Sequence, residues 1–199
     1  NTNLGDNMVT LTVEDAAGNT DICTAIVTVN EAPSTIPDIA AIKIGSISFD
    51  NPPNTINYLM DCNNGATSIE IEVLAKANTT VIPRNLFTIE TPKPGIYKQT
   101  ITVTPQNGNS SKTYEIVINK QFDFDGIVIQ KFNNTLLVNN NPESNGGYKF
   151  VNYQWYKNEV AIGTGQYYSI GPNREDSLDP NASYSVEMTT EDGDVLSTC

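Results

Sequence analysis

Histidine is absent from this chain of 199 residues, and that absence excludes several classes of chemistry. Catalytic triads with histidine as general base, histidine-ligated zinc sites and imidazole-based pH switches all need this residue. Paired carboxylates can hydrolyse glycosides without histidine, but they must lie about 5–10 Å apart in a cleft. The acids here fall mostly in turns or on polar strand faces, so the sequence predicts a protein that is not an enzyme.

Basic residues are scarce: 11 lysines and arginines face 23 acids, which gives a formal net charge of −12. Such a surface repels phosphate backbones, so we expect no nucleic acid partner. The sequence also has no stretch that approaches the roughly 20 apolar residues of a membrane span, so this segment is predicted to contain none.

Helical patterns are missing as well, since no amphipathic helix of ten or more residues can be recognised. Val, Ile, Thr and Tyr dominate the patterned segments, and Asn, Gly and Pro fall between them. Short alternating runs separated by turn formers are typical of strands. The sequence therefore predicts an all-β fold.

The first thirty residues contain two alternating runs, residues 8–13 and 22–29, joined by a cluster of turn formers. This pattern predicts a β-hairpin. An isolated two-stranded hairpin is marginally stable in water. We therefore expect residues 1–31 to be the C-terminal hairpin of a truncated β domain.

Three cysteines, Cys23, Cys62 and Cys199, lie in three different segments without CxxC spacing, which argues against a zinc knuckle or a thioredoxin-type motif. Their pairing stays open. Cys23 shares a strand face with Ala25 and Val27. Two interpretations hold for it: half of a disulfide to a partner outside this sequence, or burial as a small apolar residue.

A linker with two prolines is predicted at residues 32–38, followed by a middle β unit at residues 39–120. One strand is expected over residues 41–49, and the alternation around Ile71 predicts a strand with one buried face. Residues 119–126 contain no proline, so we expect the middle unit to meet the next one at a restricted angle.

The third predicted unit, residues 121–199, carries immunoglobulin-type features. Trp155 lies in the middle of a predicted strand, and residues 135–138 are expected to form strand B. Tyr184 stands where such sandwiches have a corner tyrosine, and Val186 occupies the position of their second cysteine. We expect Trp155 to fill the space between the sheets that a disulfide fills elsewhere.

Two groups of side chains are candidate binding sites. Asp123 and Asp125 flank Phe124 near a domain boundary and could hold calcium, although a calcium site needs six to eight oxygen ligands. Tyr156, with Tyr167 or Tyr168, could form an exposed aromatic platform for a sugar, since alternation places Tyr156 on the face opposite Trp155.

Three resemblances cover nearly the whole chain. The segment from Val9 to Asn30 resembles the end of a hyalin-repeat domain, whose repeats carry a cysteine pair. Residues 40–119 resemble a bacterial cadherin-like β-sandwich, with the Thr/Val hairpin and the Tyr-x-x-x-Ile ending seen between Thr100 and Ile118. Residues 121–199, with Tyr-Gln-Trp-Tyr-Lys-Asn at 153–158, are similar to immunoglobulin-like modules of Bacteroidetes surface and secreted proteins.

These resemblances imply tandem immunoglobulin-like and cadherin-like β-sandwiches preceded by a partial β domain, in a bacterial cell-surface or secreted protein exported by the type IX route. The expected function is a non-catalytic stalk or adhesion segment, whose partners are neighbouring domains of the same polypeptide, glycans or a surface protein. The alternative is a carbohydrate-binding module that uses the exposed aromatics of the third unit.

Overall fold

The computed structural model describes residues 3–30, 35–62, 65–173 and 175–199. It is an all-β chain of tandem immunoglobulin-like β-sandwiches preceded by a hairpin. Within these ranges the one α-helix is the short α1 (Phe124–Ile127). None of the described helical structure has the length and apolarity to cross a membrane.

The N-terminal hairpin consists of β1 (Gly5–Glu14) and β2 (Thr20–Val29), which pair antiparallel with each other alone among the described strands. The turn between them is held by Asp15, whose side chain accepts hydrogen bonds from the Ala17 and Asn19 amides. Nearly every hairpin residue is exposed, and none belongs to a buried core cluster of the described chain. The hairpin therefore contributes to neither of the two cores and pairs with no other strand in the described part of the chain.

The first sandwich is built from two four-stranded sheets. One sheet has the order β4-β3-β6-β8 and the other β5-β10-β9-β7, with β5 and β10 parallel and the remaining pairs antiparallel. The strands are β3 (Ile39–Ile44), β4 (Ile47–Asp50), β5 (Thr55–Met60), β6 (Ser68–Ala75), β7 (Thr79–Ile82), β8 (Leu86–Glu90), β9 (Gly95–Pro105) and β10 (Lys112–Lys120).

The core of this first sandwich lies between its sheets, where the alternation of each strand places its apolar side chains. In β6, Ile69, Ile71 and Val73 are buried while Glu70 points outward. Ile42 of β3 and Ile116 of β10 are fully buried against them. The two sheets thus share one dry layer of branched aliphatic side chains.

The expected single strand over residues 41–49 is wrong. Gly45 has a positive φ of 56° and turns the chain, so β3 and β4 form a hairpin in which Ile44 pairs with Ile47. Glycine reaches this left-handed region without the steric cost that a β-carbon would add. β7 and β8 follow each other closely in sequence but belong to different sheets.

The second sandwich packs a three-stranded sheet, β11-β12-β15, against a four-stranded sheet, β14-β13-β16-β17. Trp155 in β13 is fully buried and pairs with Val186 across the sheet, and its indole nitrogen donates to the Gly165 carbonyl at 2.9 Å. The strands are β11 (Val128–Lys131), β12 (Thr135–Val138), β13 (Phe150–Lys157), β14 (Val160–Thr164), β15 (Tyr167–Ser169), β16 (Tyr184–Thr190) and β17 (Val195–Ser197).

Tyr184 closes one corner of the second sandwich. Its hydroxyl accepts a hydrogen bond from the Asp179 amide, five residues upstream, at 3.1 Å. Lys157 forms an ion pair with Asp179 at 3.2 Å. A backbone hydrogen bond from Asn181 and the side-chain bond from Lys157 lower the pKa of Asp179, so this contact is retained at neutral pH. The corner keeps the loop before β16 against the sandwich.

Three predictions on domain boundaries remain predictions. Residues 32–34 of the expected linker lie outside the described part of the chain. The buried residues do form two clusters, one drawn from residues 39–118 and the other from residues 122–196. This grouping agrees with two units, but the exact boundaries at residues 38 and 120 stay predictions.

Val186→Ala should destabilise the second sandwich. The change removes two methyl groups beside Trp155 and leaves a cavity, at a cost of roughly 2–3 kcal/mol in the free energy of unfolding. Urea denaturation followed by the fluorescence of Trp155, the single tryptophan, reports this core. Val160→Ala is the matched control because Val160 is 65% exposed, and its effect should stay within about 0.5 kcal/mol. Equal effects of the two changes would contradict the assigned core.

Candidate functional site

A disulfide joins the two sandwiches. Cys62 follows β5 of the first sandwich and Cys199 follows β17 of the second, and the two are bonded with their Cα atoms 6.3 Å apart. The cysteines are 137 positions apart in sequence, so their spacing carried no signal for this pairing. We call the contact between the two sandwiches at this disulfide the junction.

Backbone hydrogen bonds run beside the disulfide. The Phe122 amide donates to the Ser197 carbonyl at 2.9 Å, and the Cys199 amide donates to the Phe122 carbonyl at 3.1 Å. Gln121 links the two sandwiches. Its backbone amide donates to the Met60 carbonyl of the first sandwich, and its side-chain amide donates to the Ser197 hydroxyl and the Thr198 carbonyl of the second. The chain therefore enters the second sandwich along its last strand and is fixed there.

Tyr148 forms the other side of the junction. Its hydroxyl donates to the Pro94 carbonyl at 2.6 Å, and Lys93 donates to the Gly146 carbonyl at 2.8 Å while its ammonium lies 5.0 Å from the Tyr148 ring centroid. Burial raises the pKa of Tyr148, so its hydroxyl stays a donor over the physiological range. The ring of Tyr148 stacks on Phe150 and meets the edge of Phe122, which extends the second core to the contact.

Gly95 makes this approach possible. Its φ of 149° is a conformation that side chains with a β-carbon rarely adopt. A β-carbon at this position would also overlap the Tyr148 hydroxyl. Gly95 is buried, and the neighbouring Ile96 packs against the second core. The sequence therefore needs glycine here for the contact between the two sandwiches.

Lys120 anchors the last strand of the first sandwich just before the junction. Its ammonium is buried and donates to the carbonyls of Ala66 and Thr91 at 2.6 and 2.8 Å. Buried charges must be hydrogen-bonded, and carbonyl oxygens meet this need. The side chain of the preceding residue, Asn119, donates to the Val195 carbonyl of the second sandwich at 3.3 Å. The strand that leads into the junction is thus fixed on both sides.

The three tyrosines of the predicted sugar platform are not brought together. Tyr168 is half-buried, and its ring lies 6.4 Å from the rings of both Trp155 and Tyr184, so it belongs to the core and not to an exposed platform. Its neighbour Tyr167 is 63% exposed on the outside of the other sheet from Tyr156. No ring contact joins any two of the three predicted tyrosines.

Tyr156 lies in a shallow groove across the junction. The groove has a volume of about 420 Å³ and includes Leu59 of the first sandwich and Glu159 and Glu187 of the second. The Tyr156 hydroxyl donates to Glu187 at 2.8 Å, and this hydrogen bond raises the pKa of Tyr156. The hydroxyl is thereby engaged within the protein, on the outer face of β13.

Asp123 and Asp125 are exposed at the start of α1, where Asp123 precedes the helix and Asp125 lies in its first turn. The one cluster of three potential metal-ligating residues among the described residues is Asp61 with the disulfide-bonded Cys62 and Cys199, so calcium at Asp123 and Asp125 stays a prediction. Cys23 is free and exposed, opposite Leu11 in the hairpin, so it is not a buried apolar residue in this structure, and the other interpretation, pairing with a partner outside this sequence, stays a prediction.

No protein-family model matches the sequence, and no curated protein matches it. Among solved structures it is similar to the fibronectin(III)-like modules of Clostridium thermocellum CbhA, with 12% identity, 79% of this chain and 92% of that chain covered, and a TM-score of 0.26. It is also similar to Bacteroides ovatus SGBP-B of the mixed-linkage glucan utilization locus, solved with a mixed-linkage heptasaccharide.

The SGBP-B similarity has 14% identity and a TM-score of 0.15, and it covers 97% of this chain and 49% of that chain. The chain thus spans about half the length of SGBP-B. At such TM-scores the two similarities say nothing about function.

Removal of the disulfide should lower stability without loss of fold. We expect Cys62→Ser with Cys199→Ser to reduce the free energy of unfolding by about 2–4 kcal/mol, the usual range for a native disulfide. Chemical denaturation measures the change. Cys23→Ser is the matched control, since Cys23 is free and exposed and should have no measurable effect. A double variant as stable as the parent chain would contradict a stabilising bond.

Proposed function

We propose that this chain is a non-catalytic structural segment that holds two β-sandwiches at a fixed angle within a larger extracytoplasmic protein. The junction carries the proposal, because a disulfide, the hydrogen bond from the Gln121 amide to the Met60 carbonyl and the Tyr148–Pro94 hydrogen bond all cross it. Contacts between domains of one chain normally permit relative motion unless the interface is extensive. Here a covalent bond and several hydrogen bonds restrain the same interface.

The disulfide also supports the proposed location. Disulfides persist in oxidising compartments and are rare in the cytosol, so Cys62–Cys199 favours the cell surface or the exterior. The resemblance to hyalin-repeat, cadherin-like and immunoglobulin-like modules agrees with this location. Export by the type IX route, and an adhesive role toward a surface protein, belong to the same proposal.

The absence of catalysis is part of the proposal. Without histidine, an enzyme here would need carboxylate chemistry. The carboxylates with lowered pKa values, Asp15, Asp38 and Asp179, each serve a local turn or ion pair on the surface. These contacts are sufficient to account for the pKa shifts, so no catalytic role is needed to explain them.

Carbohydrate binding through the predicted tyrosines is the less supported alternative. Tyr156 and Tyr167 point to opposite sides of the second sandwich, because their neighbours Trp155 and Tyr168 face each other inside it. Coplanar exposed rings are therefore not available from these residues.

Nuclear magnetic resonance can test the rigid junction directly. We expect residual dipolar couplings from residues 39–118 and 122–196 of the intact chain to fit one alignment tensor, as for one rigid body. The variant with Cys62→Ser, Cys199→Ser and Gly95→Ala loses the covalent bond and forces Tyr148 away. Its two sandwiches should give different tensors.

Gly108→Ala in the same disulfide-free background is the control for backbone strain. Gly108 also has a positive φ, 68°, but a β-carbon there has open space around it. This control should keep a single tensor or approach it more closely than the Gly95 variant. Independent tensors in the unmodified chain would overturn the proposed spacer function.

A further inference from the structure

We propose that a groove on the second sandwich binds a neutral saccharide chain, with Phe132 as the stacking residue. The groove has a volume of about 690 Å³, which falls within the range of about 300–1,000 Å³ of small-molecule sites. Its lining comes from the turn between β11 and β12 and from the end of β15: Phe132, Asn133, Asn134, Thr135, Ser169, Gly171 and Pro172. All of these residues belong to the second sandwich, so the proposal does not rest on the junction.

Phe132 is placed in a way that the fold alone does not explain. It is 87% exposed, the largest exposed fraction among the large apolar side chains of the described residues. Its φ is 57°, in the left-handed region where a bulky residue is an outlier. Asn133 and Asn134 follow directly and would tolerate this conformation better. An aromatic ring held in water on a strained turn therefore points to contact with a ligand.

A chain of hydrogen bonds fixes the polar side of the groove. The Thr135 hydroxyl donates to the side-chain oxygen of Asn134 at 3.0 Å and lies 3.1 Å from the Ser169 hydroxyl. The Ser169 hydroxyl donates to the Gly171 carbonyl at 3.2 Å. Asn134 also donates to the Gly171 carbonyl. These side chains are pre-organised, so a ligand would meet a fixed row of hydroxyl and amide groups.

Asn133 offers unused hydrogen-bonding groups at the same place. Its carbonyl accepts a hydrogen bond from the Leu178 amide, which holds the backbone, while its exposed side-chain amide bonds to no other described residue. The amide can donate and accept at once, as a hydroxyl-rich ligand requires. It is adjacent in sequence to Phe132, so ring and amide can act on one ligand.

The lining residues that the structure describes are all uncharged, although the chain carries a net charge of −12. A site for an anion would need arginine or lysine, and a site for a cation would use the abundant acids. An uncharged row of amides and hydroxyls beside one aromatic ring matches a pyranose, which has an apolar C–H face and a rim of hydroxyl groups. A peptide strand would instead need a free sheet edge or several apolar pockets.

The proposal can be tested with the full chain labelled with ¹⁵N. Four neutral probes, the hexasaccharides of cellulose, xylan, mannan and starch, are titrated separately, with hyaluronan and chitosan hexasaccharides as charged comparisons. We expect at least one neutral probe to shift the amides of Asn133, Thr135 and Gly171, and the charged probes to leave them in place. No shift from any neutral probe, or tighter binding of a charged probe, would overturn the proposal.

Variants separate stacking from general apolar contact. Phe132→Tyr should retain binding, whereas Phe132→Leu and Phe132→Ala should raise the Kd at least tenfold. Tyr167→Ala is the matched control, because Tyr167 is exposed on the neighbouring strand but does not line the groove, and its Kd should change less than twofold. Unchanged amide spectra outside the turn verify that each variant folds. Equal binding by Phe132→Leu and the parent chain would refute a stacking site.

A peptide ligand is distinguished in the same experiment. Unfolded casein peptides are added under the same conditions as the saccharides. Saturable shifts of the groove amides by these peptides, with none from the neutral saccharides, would assign the groove to a protein partner and overturn the saccharide proposal. Silence from the peptides together with saccharide shifts supports it.

Discussion

Both sandwiches depend on the burial of apolar side chains between two facing sheets. The alternation of each strand places one set of side chains inward, and each buried Ile or Val contributes about 1.5–3 kcal/mol relative to exposure. In the first sandwich this layer consists largely of branched aliphatics such as Ile42, Ile71 and Ile116. In the second, Trp155 and several other aromatic rings fill the space between a three-stranded and a four-stranded sheet. The hairpin shows the same alternation but has no facing sheet, so its apolar side chains remain in water.

The junction connects these two dry layers through polar groups, the apolar contacts of Ile96 and Tyr148, and one covalent bond. Lys120 and Gln121 satisfy backbone carbonyls on either side, while Tyr148 and Gly95 allow a close approach of the two surfaces. Most of these contacts involve backbone atoms, whose positions are set by the sheets themselves. The contact between the sandwiches therefore combines backbone acceptors fixed by the sheets with donor side chains of Lys93, Asn119 and Tyr148.

Local patterns were sufficient to predict the class of the fold. The alternation around Ile71 placed the buried face correctly, and the single Trp155 lies between the sheets of the second sandwich as expected. The turn at Gly45 was missed because the flanking residues continue an apolar run, and the cost of a positive φ does not show in such a pattern. Tyr167 and Tyr168 both appeared available, since an adjacent pair gives no sign of which ring faces the core.

These local patterns could not predict contacts between segments that are distant in sequence. Cys62 and Cys199 lie far apart in sequence, and their approach depends on how the two sandwiches meet. The sequence did not indicate Phe132 as a binding residue, because it lies in a short run of polar residues and not in an aromatic cluster. Its significance comes from its exposure and backbone conformation, which only the folded chain reveals.

The disulfide also changes the path of mechanical tension through the chain. A pull applied at the hairpin and at Cys199 would travel through the first strands to Cys62 and then cross directly to Cys199. The intervening strands, including the whole second sandwich with Trp155 and Phe132, would lie on a loop that carries no load. Oxidation would thus let the segment stay short under force, and reduction would release the length stored between the two cysteines.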